Sequence, residues 1–440
     1  MELGDALEWL DGHQNLERML AAPGSARPDL STMRRLVDVL GDPQAAMPVL
    51  HVTGTNGKTS VARALTRLLV AKGLSVGTFT SPHLERINER ISVDGQPIVD
   101  RDLAEALAGV AAVEGLAGGS RPTWFELLAA AAFRWFADRP VDVAVVEVGL
   151  GGRFDATNVA DGTVAVVTNI GLDHLEFLGP DRASVAAEKA GIVKPGATLV
   201  LGEGDPALYP VFAAEGPAEL WLAGRDYQVV GNQLAVGGRL LDVVTPGARY
   251  PAVFLRLHGA HQGTNFAAAV AAAEAFFGAP VEASLVAEAA ATLSSPGRLE
   301  VVHQRPLVVL DGAKNLDGAR AATAALDDFG EVESRILVVG MLAGKDAAEM
   351  LHALGAAKAA LVVTCPPPSP RAQSAATVAA AAASVGARAV EAPSVADAVD
   401  VALGAAGPDD LVLVTGSLYV VGAARTALGA RYQRPGQPGR

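Results

Sequence analysis

Short apolar runs alternate along this chain with longer stretches whose apolar residues recur every three or four positions. Runs at 75–79, 141–148, 164–168 and 198–201 read as strands, and 123–137 and 181–191 as helices between them. Apart from Asp142 and Glu147 near its ends, 141–148 is apolar throughout, as expected of a parallel strand covered on both faces. This alternation predicts an α/β fold with a mostly parallel sheet. The pattern changes at 226–257, where Gly-Asn, Gly-Gly and Pro-Gly break short runs and predict a small antiparallel flap. A long helix is expected over 264–277. At Ser294-Ser295-Pro296-Gly297 the helical period stops and the alternation starts afresh. Strands are expected at 307–310, 336–339, 361–364 and 411–414, with helices at 316–328, 346–354, 377–385 and 395–403. At 440 residues the chain exceeds what one core usually supports. Two domains are therefore expected, a larger one at 1–295 and a smaller Rossmann-like one at 296–432, with a tail at 433–440 read as disordered. The second has no G-x-G-x-x-G, so a dinucleotide site there is not indicated.

Between the first apolar run, Val49–Thr53, and a helical period at Val61, Leu65, Leu68 and Leu69 lies Gly54-Thr55-Asn56-Gly57-Lys58-Thr59-Ser60. This reads as a phosphate-binding loop. Gly54 and Gly57 let backbone N–H groups face phosphate oxygens, Lys58 supplies a charge near the β- and γ-phosphates, and Thr59 or Ser60 offers a hydroxyl to Mg²⁺. The helix that follows adds its N-terminal dipole. A full Walker pattern would place a further glycine at 52, where the chain has Val52.

Composition narrows the ligands. Lys plus Arg number 35 against 48 Asp plus Glu, a net charge of −13, which argues against general affinity for nucleic acid or an anionic membrane. Cys365 is the only cysteine, so intramolecular disulfides and Cys-based metal clusters are ruled out and a reducing, cytoplasmic setting is expected. No apolar stretch is long enough to span a bilayer, and Glu2, Asp5 and Glu8 do not give the basic-then-apolar order of a signal peptide. The alanine tracts at 129–132 and 379–383 sit inside amphipathic periods and read as helix rather than low complexity.

Four further clusters carry candidate chemistry. Thr80-Ser81-Pro82-His83-Leu84 follows the second strand, and Glu147 ends an apolar strand ahead of Gly149-Leu150-Gly151-Gly152-Arg153-Phe154-Asp155. An acid at such a strand tip is placed to hold Mg²⁺ directly or through water. Thr168-Asn169-Ile170-Gly171-Leu172-Asp173-His174 follows another strand, and Glu188-Lys189-Ala190-Gly191 closes a helix. Taken alone, His174 reads as an ordinary loop histidine and Lys189 as a solvated helix-end cation.

Together these motifs resemble the folylpolyglutamate synthases of the Mur ligase superfamily, often bifunctional as dihydrofolate synthases. The phosphate loop marks the superfamily; Ser81-Pro82-His83, Thr123-Trp124-Phe125-Glu126 and Gly416-Ser417-Leu418-Tyr419 are more specific to the folate branch. The resemblance implies an ATP-dependent amide ligase that joins L-glutamate to dihydropteroate or a reduced folate through an acyl phosphate, acting as a monomer. It implies Mg²⁺ ligation by Ser81, Glu147 and His174, and ATP contacts from Gly54, Thr55, Asn56, Gly57, Lys58, Asn265, Arg298 and Asp311. Pro82, His83, Thr123, Trp124, Phe125, Glu126, Phe154, Asp155 and Ala156 would lie near the pteroate group, Lys314 and Ser417 near glutamate. Lys189 matches the lysine carbamylated in that family. Two departures stand out: Thr59 replaces the common glycine after the loop lysine, and the family's Asp-Gly-Ala-His-Asn is Asp311-Gly312-Ala313-Lys314-Asn315 here. The rivals are a ligase acting on a cell-wall precursor, a phosphotransferase moving the γ-phosphate to a hydroxyl, and a non-catalytic nucleotide-dependent interaction protein.

Overall fold

In the computed structural model, which describes residues 1–17, 19 and 29–432, the chain forms two units. The first comprises 1–83, 87–256 and 260–294, the second 84–86, 257–259 and 295–440. The tail read as disordered lies outside the described residues.

The first unit is built on an eight-stranded sheet of β1 (Val49–Thr53), β2 (Val76–Phe79), β3 (Ile91–Val93), β4 (Gln96–Pro97), β5 (Val143–Glu147), β6 (Gly162–Val167), β7 (Thr198–Leu201) and β8 (Glu219–Leu222). Their order is β4-β3-β2-β5-β1-β6-β7-β8. Six strands run parallel, and β3 and β4 add an antiparallel edge. The turn between β3 and β4 is Asp94-Gly95, both at positive φ (54° and 78°), the geometry of a tight hairpin. From β1 the chain crosses to β2 on one side, whereas β6 lies on the other. The carboxyl end of β1 is therefore a topological switch point, where open α/β sheets bind ligands.

Valine and alanine fill β5 and β6 because both faces of the sheet are covered. One face meets the helix Trp124–Asp138, whose residues Ala129, Ala130, Ala131 and Ala132 are all buried; small side chains let helix and sheet approach closely. A separate antiparallel sheet, β9 (Gln228–Ala235), β10 (Gly238–Val244) and β11 (Arg249–Leu255), follows at the expected flap. It is tied to the helix Ala260–Phe277 by Glu274, which accepts the hydroxyls of Tyr250 (2.6 Å) and Thr245 (2.8 Å). That helix begins four residues before its expected start, at the Ala260-His261-Gln262 turn.

The second unit carries β12 (Glu300–Gln304), β13 (Leu307–Leu310), β14 (Arg335–Val339), β15 (Leu361–Thr364), β16 (Ala389–Glu391) and β17 (Leu411–Thr415). The order is β12-β13-β17-β14-β15-β16, parallel except for β12. Helices after these strands start on polar caps: Asn315 accepts from Gly318 N, Asp346 from Glu349 N, Ser374 from Thr377 N and Ser394 from Asp397 N. Each satisfies an otherwise orphaned N–H, a contribution of about 1 kcal/mol. The helix expected over 316–328 ends at Ala325 and tightens into a 3₁₀ turn, Leu326–Phe329.

Candidate active site

The loop after β1 turns sharply into the helix Lys58–Ala71 through Gly57, at φ 84°. A Cβ there would stand 2.5 Å from Asn265 Oδ1, so only glycine allows Asn265 to close on the loop. The loop is fixed from the β6 side. Asn56 N donates to Asn169 Oδ1 (3.0 Å), Asn56 O accepts from Thr168 Oγ1 and Asn169 Nδ2, and Thr55 Oγ1 donates to Gly171 O (3.1 Å) while accepting from Gly171 N (2.9 Å). The 168–171 segment is thus a template for the loop's shape, and it is itself held by Arg182, which bonds Ile170 O and the carboxylates of Glu203 and Asp205. Sequence reading missed Arg182 and Glu203, whose spacing carries no motif.

Two lysines converge on one carbonyl. Lys58 Nζ is 3.0 Å from Gly54 O and Lys189 Nζ, on a residue 3 % exposed, is 2.9 Å from the same atom. Lys189 is not the solvated helix-end cation that its sequence context suggests in isolation.

Glu147, at the end of β5 and 1 % exposed, faces the loop. Its Oε1 and Oε2 accept from Thr59 Oγ1 at 2.9 and 3.0 Å, and Oε2 accepts from Ser81 N at 3.2 Å. Of the two hydroxyls left open by the sequence, that of Thr59 reaches this carboxylate. Among the described residues no three His, Cys, Asp or Glu side chains cluster as a metal group. The donors brought together are a carboxylate and hydroxyl-bearing residues, hard oxygens that suit Mg²⁺, an ion that keeps several waters and needs few protein ligands. His174 caps a short helical turn, Leu175–Leu178, at φ 54°, with Nε2 3.7 Å from Asp173 Oδ2.

Thr123 and Glu126 form a reciprocal capping box for the helix Trp124–Asp138: Glu126 Oε2 accepts from Thr123 N (2.7 Å) and Glu126 N donates to Thr123 Oγ1 (3.3 Å). The Glu126 carboxylate thus has a structural duty of its own. Trp124 donates Nε1 to Asp11 (2.9 Å) and lies under Arg90, whose guanidinium carbon is 4.8 Å from the ring centroid. Arg90, 2 % exposed, also donates to His83 Nδ1 (2.8 Å) and grips Glu17 at 2.7 and 2.6 Å. A part-buried bidentate pair with a stacked ring is a rigid support, and Arg90 positions two of the residues expected near the pteroate group. A lone arginine ahead of an apolar run gave no sequence signal for this. Phe125 tilts against Phe79 at 5.7 Å between centroids. Phe154 is exposed, whereas Asp155 and Ala156 are buried. Burial raises the Asp155 carboxyl above its ordinary value, against the lowering effect of hydrogen bonds from Thr157, Leu150 and Gly149.

In the second unit, Asp311 follows β13 and Ser417 lies two residues past β17, neighbouring parallel strands whose carboxyl ends they share. Asp311 Oδ2 accepts from Leu299 N (3.0 Å) and Oδ1 from Ala313 N (2.9 Å). Burial pushes its carboxyl up to about 6, against the charge of Arg298. Ser417 Oγ accepts from Tyr419 N, and Lys314 is half-buried between Ala313 and the capping Asn315.

The Mur ligase middle domain model matches residues 52–273, and the Mur ligase glutamate ligase domain model matches 297–418. The chain is 40 % identical to the dihydrofolate synthase/folylpolyglutamate synthase of Mycobacterium tuberculosis, over 91 % of this chain and 90 % of that one. It superposes on the crystal structure of M. tuberculosis folylpolyglutamate synthase complexed with ADP and AMPPCP with a TM-score of 0.89 and 38 % identity, over 97 % and 98 % of the two chains. A bifunctional folylpolyglutamate synthase/dihydrofolate synthase with Mn, AMPPNP and L-glutamate bound gives a TM-score of 0.83 and 29 % identity, over 97 % and 98 %. No helix among the described residues is long and apolar enough to cross a membrane.

Proposed function

We propose that this chain, which belongs to the Mur ligase family and to its folylpolyglutamate synthase/dihydrofolate synthase branch, joins L-glutamate to the carboxylate of dihydropteroate or a folate as ATP becomes ADP. The observation that carries the reading is the meeting of Lys58, Lys189, Thr59 and Glu147 around one phosphate loop at the switch point. A carboxylate does not acylate an amine at neutral pH because oxide is a poor leaving group. The substrate carboxylate attacks the γ-phosphorus in line, ADP departs, and the acyl phosphate forms. The free amine of glutamate then attacks the acyl carbon and expels phosphate. The loop's N–H groups and Lys58 orient the γ-phosphate and offset charge developing on it.

Glu147, Ser81 and His174 would hold Mg²⁺, which supplies charge neutralisation at the phosphates when bound. Glu147→Gln keeps an acceptor for Thr59 and Ser81 but loses the charge, so the Mg²⁺ concentration for half-maximal turnover is expected to rise about tenfold or more. An unchanged titration removes Glu147 from the metal site. Asn265, Arg298 and Asp311 are assigned to ATP, the 123–126 and 154–156 segments with Pro82 and His83 to the pteroate group, and Lys314 and Ser417 to glutamate. Lys189 is assigned a carbamate: its neutral amine adds to CO₂, forming N–COO⁻ and releasing a proton. A buried ammonium sharing a carbonyl with Lys58 is costly, and a carbamate turns that repulsion into an ion pair. The single buried Cys365 supports a cytoplasmic location.

At Lys314 the assignment is electrostatic, a cation toward a glutamate carboxylate or phosphate. Lys314→His should then keep activity at low pH and lose it as pH rises through the imidazole pKa near ~6.5, read from a kcat/KM profile. A profile matching the parent makes the charge irrelevant. The activity itself is tested by ADP release with dihydropteroate and with tetrahydrofolate, each with and without L-glutamate. Release requires the pteroate acid and glutamate together; equal turnover without glutamate, with a stable phosphorylated product, makes the protein a kinase.

A further inference from the structure

A polar relay beneath the phosphate loop holds the loop that follows Glu147. His51 is the middle residue of β1, 0 % exposed, and Thr53 lies two positions on. Strand geometry puts both on one face. That face carries the 149–160 segment: Thr53 Oγ1 donates to Gly151 O (2.7 Å), and His51 Nε2 lies 2.9 Å from Thr157 Oγ1. Thr157 Oγ1 donates to Asp155 Oδ1, while Asp155 also accepts from Leu150 N (2.9 Å) and Thr157 N (3.0 Å). Thr157 has one hydroxyl proton and gives it to Asp155. Toward His51 it therefore accepts, and the imidazole proton sits on Nε2. Nδ1 is left as a bare lone pair with no hydrogen-bond partner among the described residues. Burial, with the charge of Lys194, pushes the ring's pKa down to about 3, so the ring stays neutral and keeps this one tautomer.

An orphaned buried acceptor works against the folded state, and an aliphatic side chain would avoid it. The N–H toward Thr157 is what an aliphatic residue cannot supply. The loop so held is also fastened to the Lys189 helix, through Arg153 N to Glu188 O (2.8 Å) and Asn158 Nδ2 to Gly191 O (2.9 Å).

We propose that His51 is a positioning residue for the pteroate side of the site, acting through Thr157 and Asp155 on the backbone of Leu150 to Ala156. This rests on the assignment of Phe154, Asp155 and Ala156 to the pteroate group. The phosphate loop has a template of its own in Thr168, Asn169 and Gly171, so the larger effect falls on the pteroate substrate. In glutamate-dependent ADP release, His51→Leu raises the KM for dihydropteroate at least about fivefold, the equivalent of one hydrogen bond, and leaves the KM for ATP within about twofold. His51→Gln, whose amide N–H reaches the same place, restores the parent value. Thr157→Val, close in shape, breaks the relay at its centre and gives the same rise, and the His51→Leu/Thr157→Val pair is no worse than either alone because both cut one path. Parent KM values for dihydropteroate in His51→Leu and Thr157→Val, equal rises for both substrates, or a Gln variant as impaired as Leu would overturn the proposal. Failure of the activity assignment is distinguishable: it shows in the parent enzyme, as ADP release that ignores dihydropteroate.

Discussion

Replacing Lys58 by alanine is expected to lower kcat by about 10²–10³-fold while leaving the thermal midpoint within about 2 °C of the parent. The first half follows from what the ammonium faces. It donates to the loop's own carbonyls, Gly54 O at 3.0 Å and Thr55 O at 3.4 Å, where a γ-phosphate would draw it forward. The second half follows from what holds the loop. Its shape is set by Thr168, Asn169 and Gly171, and by Asn265 pressed on Gly57, so the fold does not depend on the lysine. Steady-state ADP release beside calorimetry separates the two effects. Near-normal turnover would sink the phosphate-loop assignment, and a large drop in midpoint would recast Lys58 as structural.

Lys189→Ala is expected to lose activity by about 10²-fold or more and to regain part of it in acetate or formate. The logic is charge. A carbamate places an anion where the bare side chain places a cation, and a small carboxylate diffusing into the space left by the truncated chain supplies that anion again. Restoring the cation does not help: Lys189→Arg should stay inactive with or without carboxylate. Activity of the alanine variant equal to the parent, or rescue by added amines instead of carboxylates, would count against the carbamate. A ¹³C signal from the parent in ¹³C-bicarbonate, missing in Lys189→Ala, is the direct spectroscopic check.

The alternation of buried strands and amphipathic helices made the α/β class legible, because a parallel strand covered on both faces must be apolar nearly throughout, as β5 is. The phosphate loop was legible for a related reason: few residue types tolerate its backbone, so Gly57 and its neighbours are written in the sequence. What escaped was small or paired at long range. The hairpin of β3 and β4 had its Asp94-Gly95 signal but strands too short to show alternation. Arg90, His51 and Arg182 act through partners 7 to 106 positions away. No local period encodes such pairings, and each residue read alone has a bland explanation. Glu126, a motif residue expected near the pteroate group, has a second role that the motif does not announce: its carboxylate accepts from Thr123 N at the start of its own helix. The contact between Thr59 and Glu147 was equally hidden, since Thr59 and Ser60 are adjacent and chemically alike.

Oxygen transfer from substrate to phosphate shows whether a pteroate-type carboxylate is activated as an acyl phosphate before glutamate attacks. Dihydropteroate carrying ¹⁸O in both carboxylate oxygens is incubated with ATP, Mg²⁺ and L-glutamate, and the phosphate and the amide product are analysed by mass spectrometry. If the carboxylate attacks the γ-phosphorus, the oxygen that makes that bond leaves with phosphate when the amine displaces it. One ¹⁸O is expected in each phosphate released and one in the new amide carbonyl. Phosphate without label, formed while the amide accumulates or while ATP is consumed without it, would exclude the acyl phosphate.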